Sequence, residues 1–128
     1  MKISLLFVLL TLISCSTGRS IVKTTIEDIR FGSGGGFTGK ENTYCLNSVG
    51  KLSSEGKILK QIDLKNTLLL FKEAKRFQKY SFNEPQNTYS FIVIQSKDSM
   101  NKIVWSQGSK KIDKEITDFY DELISLTK

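Results

Sequence analysis

Residues 88–95 read Thr-Tyr-Ser-Phe-Ile-Val-Ile-Gln and give the strongest strand signal in the chain. Most of these residues are aromatic or β-branched, the types that are enriched in β-strands. Residues 96–99 (Ser-Lys-Asp-Ser) follow as a polar turn, and residues 102–106 (Lys-Ile-Val-Trp-Ser) form a second run of the same kind. Two such runs around a short turn predict a β-hairpin. A hairpin at this position predicts an antiparallel sheet.

Three stretches before this hairpin also have strand character. Residues 24–31 and 41–48 each predict one strand, and residues 51–62 predict one or two strands separated at Gly56. Between the first two, residues 32–39 hold five of the nine glycines of the chain. We therefore expect the main irregular segment of the molecule there.

Two further stretches repeat their apolar residues with the helical period of 3.6. In residues 63–77 the apolar positions are Leu64, Leu68 and Phe71 on one line, with Leu70, Ala74 and Phe77 beside it. The last stretch begins at Asp113, a candidate N-cap preceded by Ile112, and carries Ile116, Phe119, Leu123 and Leu126. Both patterns predict amphipathic helices with one side against a core.

These elements predict an α+β fold in the order β-β-β-α-β-β-α. We expect an antiparallel sheet of 4–5 strands with both helices packed on one face. Residues 24–128 are expected to form a single domain, which agrees with the usual size of a small domain.

The composition excludes several kinds of active site. The 128 residues carry 19 Lys and Arg against 13 Asp and Glu, for a net charge of +6, and they include no histidine. A Ser-His-Asp triad and a His-ligated zinc site both need histidine. Two cysteines are too few for an all-cysteine zinc site or a disulfide scaffold. We expect no catalytic residues, no metal, no cofactor and a non-enzymatic role.

The N-terminal residues have the pattern of an export signal. Met1-Lys2 is positively charged, and residues 3–13 are apolar apart from Ser4 and Thr11, a run too short to span a bilayer. The run ends in Leu12-Ile13-Ser14-Cys15, which resembles the lipobox of bacterial lipoproteins. Two alternatives are an incidental cysteine behind an ordinary signal peptide and an internal hydrophobic helix.

The lipobox resemblance implies a processed and lipid-anchored chain. Residues 1–14 would be removed as a signal peptide, and Cys15 would carry the lipid, with fatty acyl chains such as palmitate. Residues 15–23 would form a tether, since they are mostly small and polar. Several acyl chains together give stable membrane attachment. The expected location is the bacterial cell envelope, at the outer membrane.

The glycine-rich segment is the candidate binding site. Its candidate residues are Gly34, Gly35, Gly36, Phe37, Thr38 and Gly39. Phe37 either folds back into the core or is presented to a partner. The spacing of the glycines and Lys40 also matches two phosphate-binding motifs, but a strand is expected next and Glu41 stands where Mg²⁺ binding needs Ser or Thr. We therefore expect no nucleotide partner.

Other reactive or charged residues have ordinary structural interpretations. Cys45 lies in a strand-like stretch and is expected to be a small buried side chain, with a reactive thiol as the alternative. Glu115, Asp118 and Glu122 share a helical face with lysines four residues away, which is typical of a solvated surface. The basic residues between 72 and 79 alternate with core aromatics, so we expect no nucleic-acid partner.

The succession of elements resembles emfourin-like proteins, which are small inhibitors of thermolysin-like metalloproteases. The resemblance is carried by Arg30-Phe31 running into Gly34–Gly39, Ala74-Lys75-Arg76-Phe77, the pair 88–93 and 102–105, and the closing Phe119, Leu123 and Leu126. The chain differs in its lipoprotein leader and in Lys114, where a proline is expected. The resemblance implies a protein-binding module that inhibits a protease. The alternative is a structural or assembly lipoprotein of a larger envelope complex.

Overall fold

A computed structural model describes residues 26–128. The strands are Ile26–Gly35 (β1), Asn42–Asn47 (β2), Lys51–Ser54 (β3), Lys57–Gln61 (β4), Asn83–Glu84 (β5), Thr88–Ser96 (β6) and Met100–Ser106 (β7), and the helices are Leu64–Arg76 (α1) and Lys114–Ser125 (α2). One sheet holds the strands in the order β4-β3-β2-β1-β6-β7-β5. The leader, the lipobox with Cys15, the tether and residues 24–25 lie outside the described residues.

The α+β class is confirmed, but the expected count of 4–5 strands is wrong because the sheet has seven. Residues 51–61 form two strands around a turn at Glu55 and Gly56, which both have positive φ. The short β5 lies in the segment around the single proline and pairs parallel with β7. Two residues are too few to show a strand pattern in the sequence.

The first strand extends further than the sequence predicts. It continues through four residues of the glycine-rich segment and ends at Gly35. Close neighbours explain this, because a Cβ on Gly32 would lie 1.8 Å from the Asn42 carbonyl oxygen of β2 and 3.2 Å from Cζ of Phe91, and a Cβ on Gly34 would lie 2.6 Å from the hydroxyl of Tyr89. The rings of Phe91 and Tyr89 pack over Gly32 and Gly34, which have no side chains of their own, and these glycines are therefore accommodated within β1.

Both helices pack on one face of the sheet, as expected, and enclose the core there. The sheet contributes Ile29, Phe31, Leu46, Leu52, Ile92, Ile94, Ile103 and Trp105, and the helices contribute Leu70, Phe71, Ala74, Ile116, Phe119 and Leu123. Tyr120 fixes α2 on the sheet, because its ring meets the edge of Trp105 and its hydroxyl donates to the Gly32 carbonyl at 2.9 Å. A smaller cluster of Phe91, Val93 and Val104 lies on the opposite face.

The expected core side of α1 is partly wrong. Leu64 and Leu68 are exposed, with 65% and 55% of their areas accessible, whereas Thr67 is buried together with Leu70, Phe71 and Ala74. Thr67 can face inward because its hydroxyl donates to the Asp63 carbonyl at 2.9 Å, so no polar group is left unpaired. Leu64 and Leu68 therefore lie on the side of α1 that faces solvent.

Helix α1 crosses the end of the sheet at which the chain enters β1. Before the helix, the Ile62 N–H donates to the Gly50 carbonyl in the β2–β3 turn at 2.8 Å. After the helix, the Gln78 side chain donates to the Ser96 hydroxyl at 2.6 Å, and Ser96 pairs with Ile26, the first residue of β1. The β1–β2 connection therefore lies at the opposite end of the sheet.

The N-terminus of α1 gives a prediction for acid stability. Hydrogen bonds from the backbone and then the side chain of Asn66 hold the pKa of the Asp63 carboxyl below its ordinary value of 3.8. A lowered pKa in the folded state adds stability above the ordinary pKa, and this stability is lost as the pH falls through the folded value. As the pH is lowered beneath 3.8, the urea concentration at the unfolding midpoint should decrease less steeply in Asp63→Asn than in the unaltered protein. The asparagine keeps a capping oxygen but has no titrating proton.

The same substitution at Asp98, in the exposed β6–β7 turn, is the matched control for this measurement. It leaves the cap of α1 in place, so its acid dependence should follow that of the unaltered protein. The assigned role of the Asp63 cap would be contradicted if the urea midpoint of Asp63→Asn changed with pH in the same way as those of Asp98→Asn and the unaltered protein.

Candidate functional site

The β1–β2 connection, residues 36–41, is called the Phe37 loop below. Gly36 and Gly39 have φ of +81° and +62°, and the Gly39 N–H donates to the Gly36 carbonyl at 3.2 Å. This bond closes a β-turn in which Phe37 and Thr38 occupy the two central positions. The turn therefore places two side chains at the tip of the hairpin.

Hydrogen bonds hold both ends of the Phe37 loop, one end to Asn87, the residue before β6, and the other to Tyr89 in β6. The Gly36 N–H donates to the Asn87 carbonyl at 2.6 Å. At the other end, the Tyr89 hydroxyl donates to Oε2 of Glu41 at 2.7 Å, and this hydrogen bond raises the pKa of Tyr89. The loop is thus held in one position relative to the sheet while its tip projects beyond it.

The Phe37 ring is exposed to solvent over its whole area, with a relative exposure of 112%. The ring is therefore exposed at the surface and does not fold back into the core. Covering a phenylalanine that water surrounds releases about 2–3 kcal/mol of hydrophobic free energy. A binding partner with an apolar pocket would gain that energy from this single side chain.

The candidate residues divide into two groups. Gly36, Phe37, Thr38 and Gly39 lie together in the exposed turn. Gly34 and Gly35 belong to β1, and a Cβ on Gly35 would lie 1.9 Å from the Asn87 carbonyl oxygen. These two glycines support the loop by allowing β1 and the start of β6 to approach closely.

The phosphate-binding motifs in this segment do not have the structural context they require. Such glycine loops lead into a helix, whose N-terminal N–H groups hold the phosphate. Here the next element is the strand Asn42–Asn47. The Glu41 carboxylate, which would repel a phosphate, accepts the hydrogen bond of Tyr89.

Cys45 and the acidic face of α2 occupy ordinary structural positions. Burial first, and the charge of Asp28 second, raise the pKa of the half-buried Cys45, which keeps it as a thiol near neutral pH. On α2, Lys114 pairs with Asp118 at 2.8 Å and Glu115 with a guanidinium nitrogen of α1 at 3.1 Å. Within residues 26–128, no three Cys, Asp or Glu side chains form a group that could hold a metal ion.

A second exposed surface was not anticipated from the sequence. Leu64, Lys65, Leu68, Leu69 and Lys72 line a shallow depression on the outer side of α1, which is called the leucine patch below. One signal could have revealed it. Residues 68–70 are three consecutive leucines, and successive residues of a helix are about 100° apart, so they cannot all reach one core.

Within the described range 26–128, neither helix is both long enough and apolar enough to cross a membrane. Comparisons of the whole chain with models of protein families, with curated proteins and with solved structures gave no match.

Proposed function

We propose that this protein is a lipoprotein of the bacterial cell envelope, anchored through Cys15, whose domain binds a protein partner through the Phe37 loop without chemistry of its own. The observation that carries this proposal is the fully exposed Phe37 ring at the tip of a fastened hairpin. Interfaces take most of their energy from a few apolar anchors that enter pockets of the partner.

The geometry of the loop supports recognition because the anchor is presented in advance. Ordering a flexible loop on binding costs free energy, and that cost is reduced when the loop is already held. The bonds at Gly36 and Glu41 hold this loop at both ends. Nothing lies within 4 Å of a Cβ placed on Gly36 or Gly39, so a partner has room to approach the turn beside Phe37.

The partner class we propose is a thermolysin-like metalloprotease, with outer-membrane attachment of the inhibitor. The support is the resemblance to emfourin-like proteins together with the shape of the site. A narrow hairpin tip with one large apolar side chain suits a cleft that has an apolar pocket. The loop would block that cleft by occupying it.

The test is inhibition of thermolysin-like proteases by the chain from residue 15 to 128. We expect inhibition by the unaltered chain and a loss of affinity of about 30- to 140-fold in Phe37→Ala, the equivalent of about 2–3 kcal/mol. Val49→Ala is the matched control, because Val49 is also an exposed apolar residue of a turn, with 60% of its area accessible. It should leave inhibition unchanged.

Two results would contradict the proposal. Unchanged protease activity at a large excess of the protein would remove the protease as partner. Equal effects of Phe37→Ala and Val49→Ala would remove the loop as the binding surface. If a photo-crosslinker at Thr38 captured subunits of a larger envelope complex and no protease, the assembly role would replace inhibition.

The lipid anchor is tested separately by mass spectrometry of protein purified from its host. We expect a chain that begins at Cys15 and carries a diacylglyceryl group. An unmodified Cys15 thiol or an uncut leader would contradict the anchor while leaving the loop untouched.

A further inference from the structure

We propose that the leucine patch of α1 rests on an anionic lipid surface and so holds the domain against the membrane to which the tether leads. This proposal extends the proposed lipid anchor to the orientation of the domain. It rests on the chemistry of the patch, on its place in the fold and on the length of the tether.

The patch combines apolar area with positive charge. Leu64, Leu68 and Leu69 expose 65%, 55% and 55% of their areas, and Lys65 and Lys72 complete the lining of the depression. No acidic residue is among these five. Helix α1 as a whole has three lysines and one arginine against one glutamate, a net charge of 4 − 1 = +3. A helix with leucines flanked by lysines binds at the boundary between lipid headgroups and acyl chains.

The patch lies at the correct end of the domain for such a contact. Helix α1 crosses the end of the sheet at which the chain enters β1 at Ile26. Eleven peptide steps lead from Cys15 to Ile26, which is about 40 Å at full extension. An anchor at Cys15 therefore keeps Ile26, at this end of the sheet, within about 40 Å of the bilayer.

The Phe37 loop lies at the other end of β1, and ten residues of strand separate the two ends by about 30 Å. The Phe37 loop and the leucine patch are therefore separate parts of the surface of the domain. Contact with lipid and binding of a protein partner would not compete for the same surface.

The charges favour lipid over a second copy of this chain as the occupant. A two-fold dimer through the patch would bring four lysines, Lys65 and Lys72 of each subunit, into one interface, because both subunits contribute the same surface. Like charges at close range oppose such pairing. Anionic headgroups instead neutralise both lysines, and each lysine near such a surface strengthens binding about fivefold.

The test uses the chain 15–128 with Cys15→Ser, so that no lipid is attached. The chain 15–128 keeps all the residues that the structure describes, and circular dichroism checks that each variant is folded. We expect this chain to co-sediment with vesicles of phosphatidylethanolamine and phosphatidylglycerol, more strongly at low salt, and not with phosphatidylcholine vesicles. Because the tether is present in every variant, differences between variants report on the domain.

Two pairs of substitutions locate the contact. Leu68→Ser with Leu69→Ser should reduce affinity at least about tenfold, since apolar burial is lost. Its matched control is Ile58→Ser with Leu59→Ser, an adjacent exposed pair on β4, which should change nothing. Lys65→Gln with Lys72→Gln should reduce affinity about 30-fold, and Lys110→Gln with Lys111→Gln, in the exposed β7–α2 loop, should reduce it far less.

The proposal is overturned if the unaltered chain does not bind phosphatidylglycerol vesicles, or if the control pairs weaken binding as much as the patch pairs. It is also overturned if the chain forms dimers that Leu68→Ser with Leu69→Ser dissociates. Since no lipid is attached in this experiment, an unmodified Cys15 in the host would not change its outcome. Failure of the anchor and failure of the lipid contact are therefore separate results.

Discussion

Gly35→Ala is expected to destabilise the protein by about 3 kcal/mol, from two causes that add at one position. Gly35 has a φ of +87°, where a side chain costs roughly 1–2 kcal/mol. A Cβ there would also lie 1.9 Å from the Asn87 carbonyl oxygen, and that clash forces apart the strands β1 and β6 at a further cost of about 1–3 kcal/mol. The measurement is the free energy of unfolding in urea.

Gly36→Ala is the matched control for this effect. Gly36 has nearly the same conformation, with a φ of +81°, but nothing lies within 4 Å of a Cβ placed on it. It should therefore lose only about 1 kcal/mol from backbone strain. Equal losses at the two positions would contradict the close approach of β1 to Asn87. Gly35→Ala should also weaken partner binding, because the Gly36–Asn87 hydrogen bond that holds the Phe37 loop is displaced.

Phe71→Ala should have an equally large effect, about 3–5 kcal/mol of unfolding free energy. Phe71 is 2% exposed and fixes α1 against the sheet, so its removal leaves a cavity in the core. Small domains have about 5–15 kcal/mol of total stability, so this variant would be close to unfolding at ordinary temperature. Thermal and urea unfolding both measure the loss.

Leu68→Ala on the same helix tests which side of α1 faces the core. Leu68 keeps more than half of its area in water, so its truncation should change stability by no more than about 0.5 kcal/mol. The sequence pattern placed Leu68 on the core line with Phe71. A loss of 2 kcal/mol or more at Leu68 would favour that pattern over the structure.

Periodicity was sufficient to predict the class of the fold. The hairpin of β6 and β7, the start of α2 after Asp113 and both helices on one face follow from residue type and spacing alone, although the Asp113 side chain makes no capping hydrogen bond. These signals are strong because each element buries a continuous apolar side. The weaker predictions concerned elements that depend on neighbours distant in sequence.

Two errors show why those neighbours matter. β1 continues through Gly34 because the ring of Tyr89, 55 residues later, covers the missing side chain. Thr67 rather than Leu68 faces inward, where it packs closely on Gly50 of the β2–β3 turn, and the Asp63 carbonyl satisfies its hydroxyl. Neither the covering ring nor the contact with Gly50 is visible in a local pattern, so local reasoning favoured the more apolar residue.

The candidate site was located from the sequence, but its geometry was not. The glycine-rich segment marked the position of the loop, and only the structure decides that the Phe37 ring points outward. That outcome depends on the bonds at Asn87 and Tyr89, which lie in another hairpin. The leucine patch follows from the same packing, since residues excluded from a core must face water or a partner.

The position of β1 has a mechanical consequence. In the proposed arrangement the lipid anchor precedes the first residue of β1 and the partner binds the Phe37 loop just after its last, so a pull between the two would act along this one strand. β2 and β6 flank β1 on both sides, and their hydrogen bonds lie across the direction of the pull. Because both attachments are at the ends of one continuous strand, its covalent backbone carries the tension, and the flanking hydrogen bonds need not break for the load to pass through the domain.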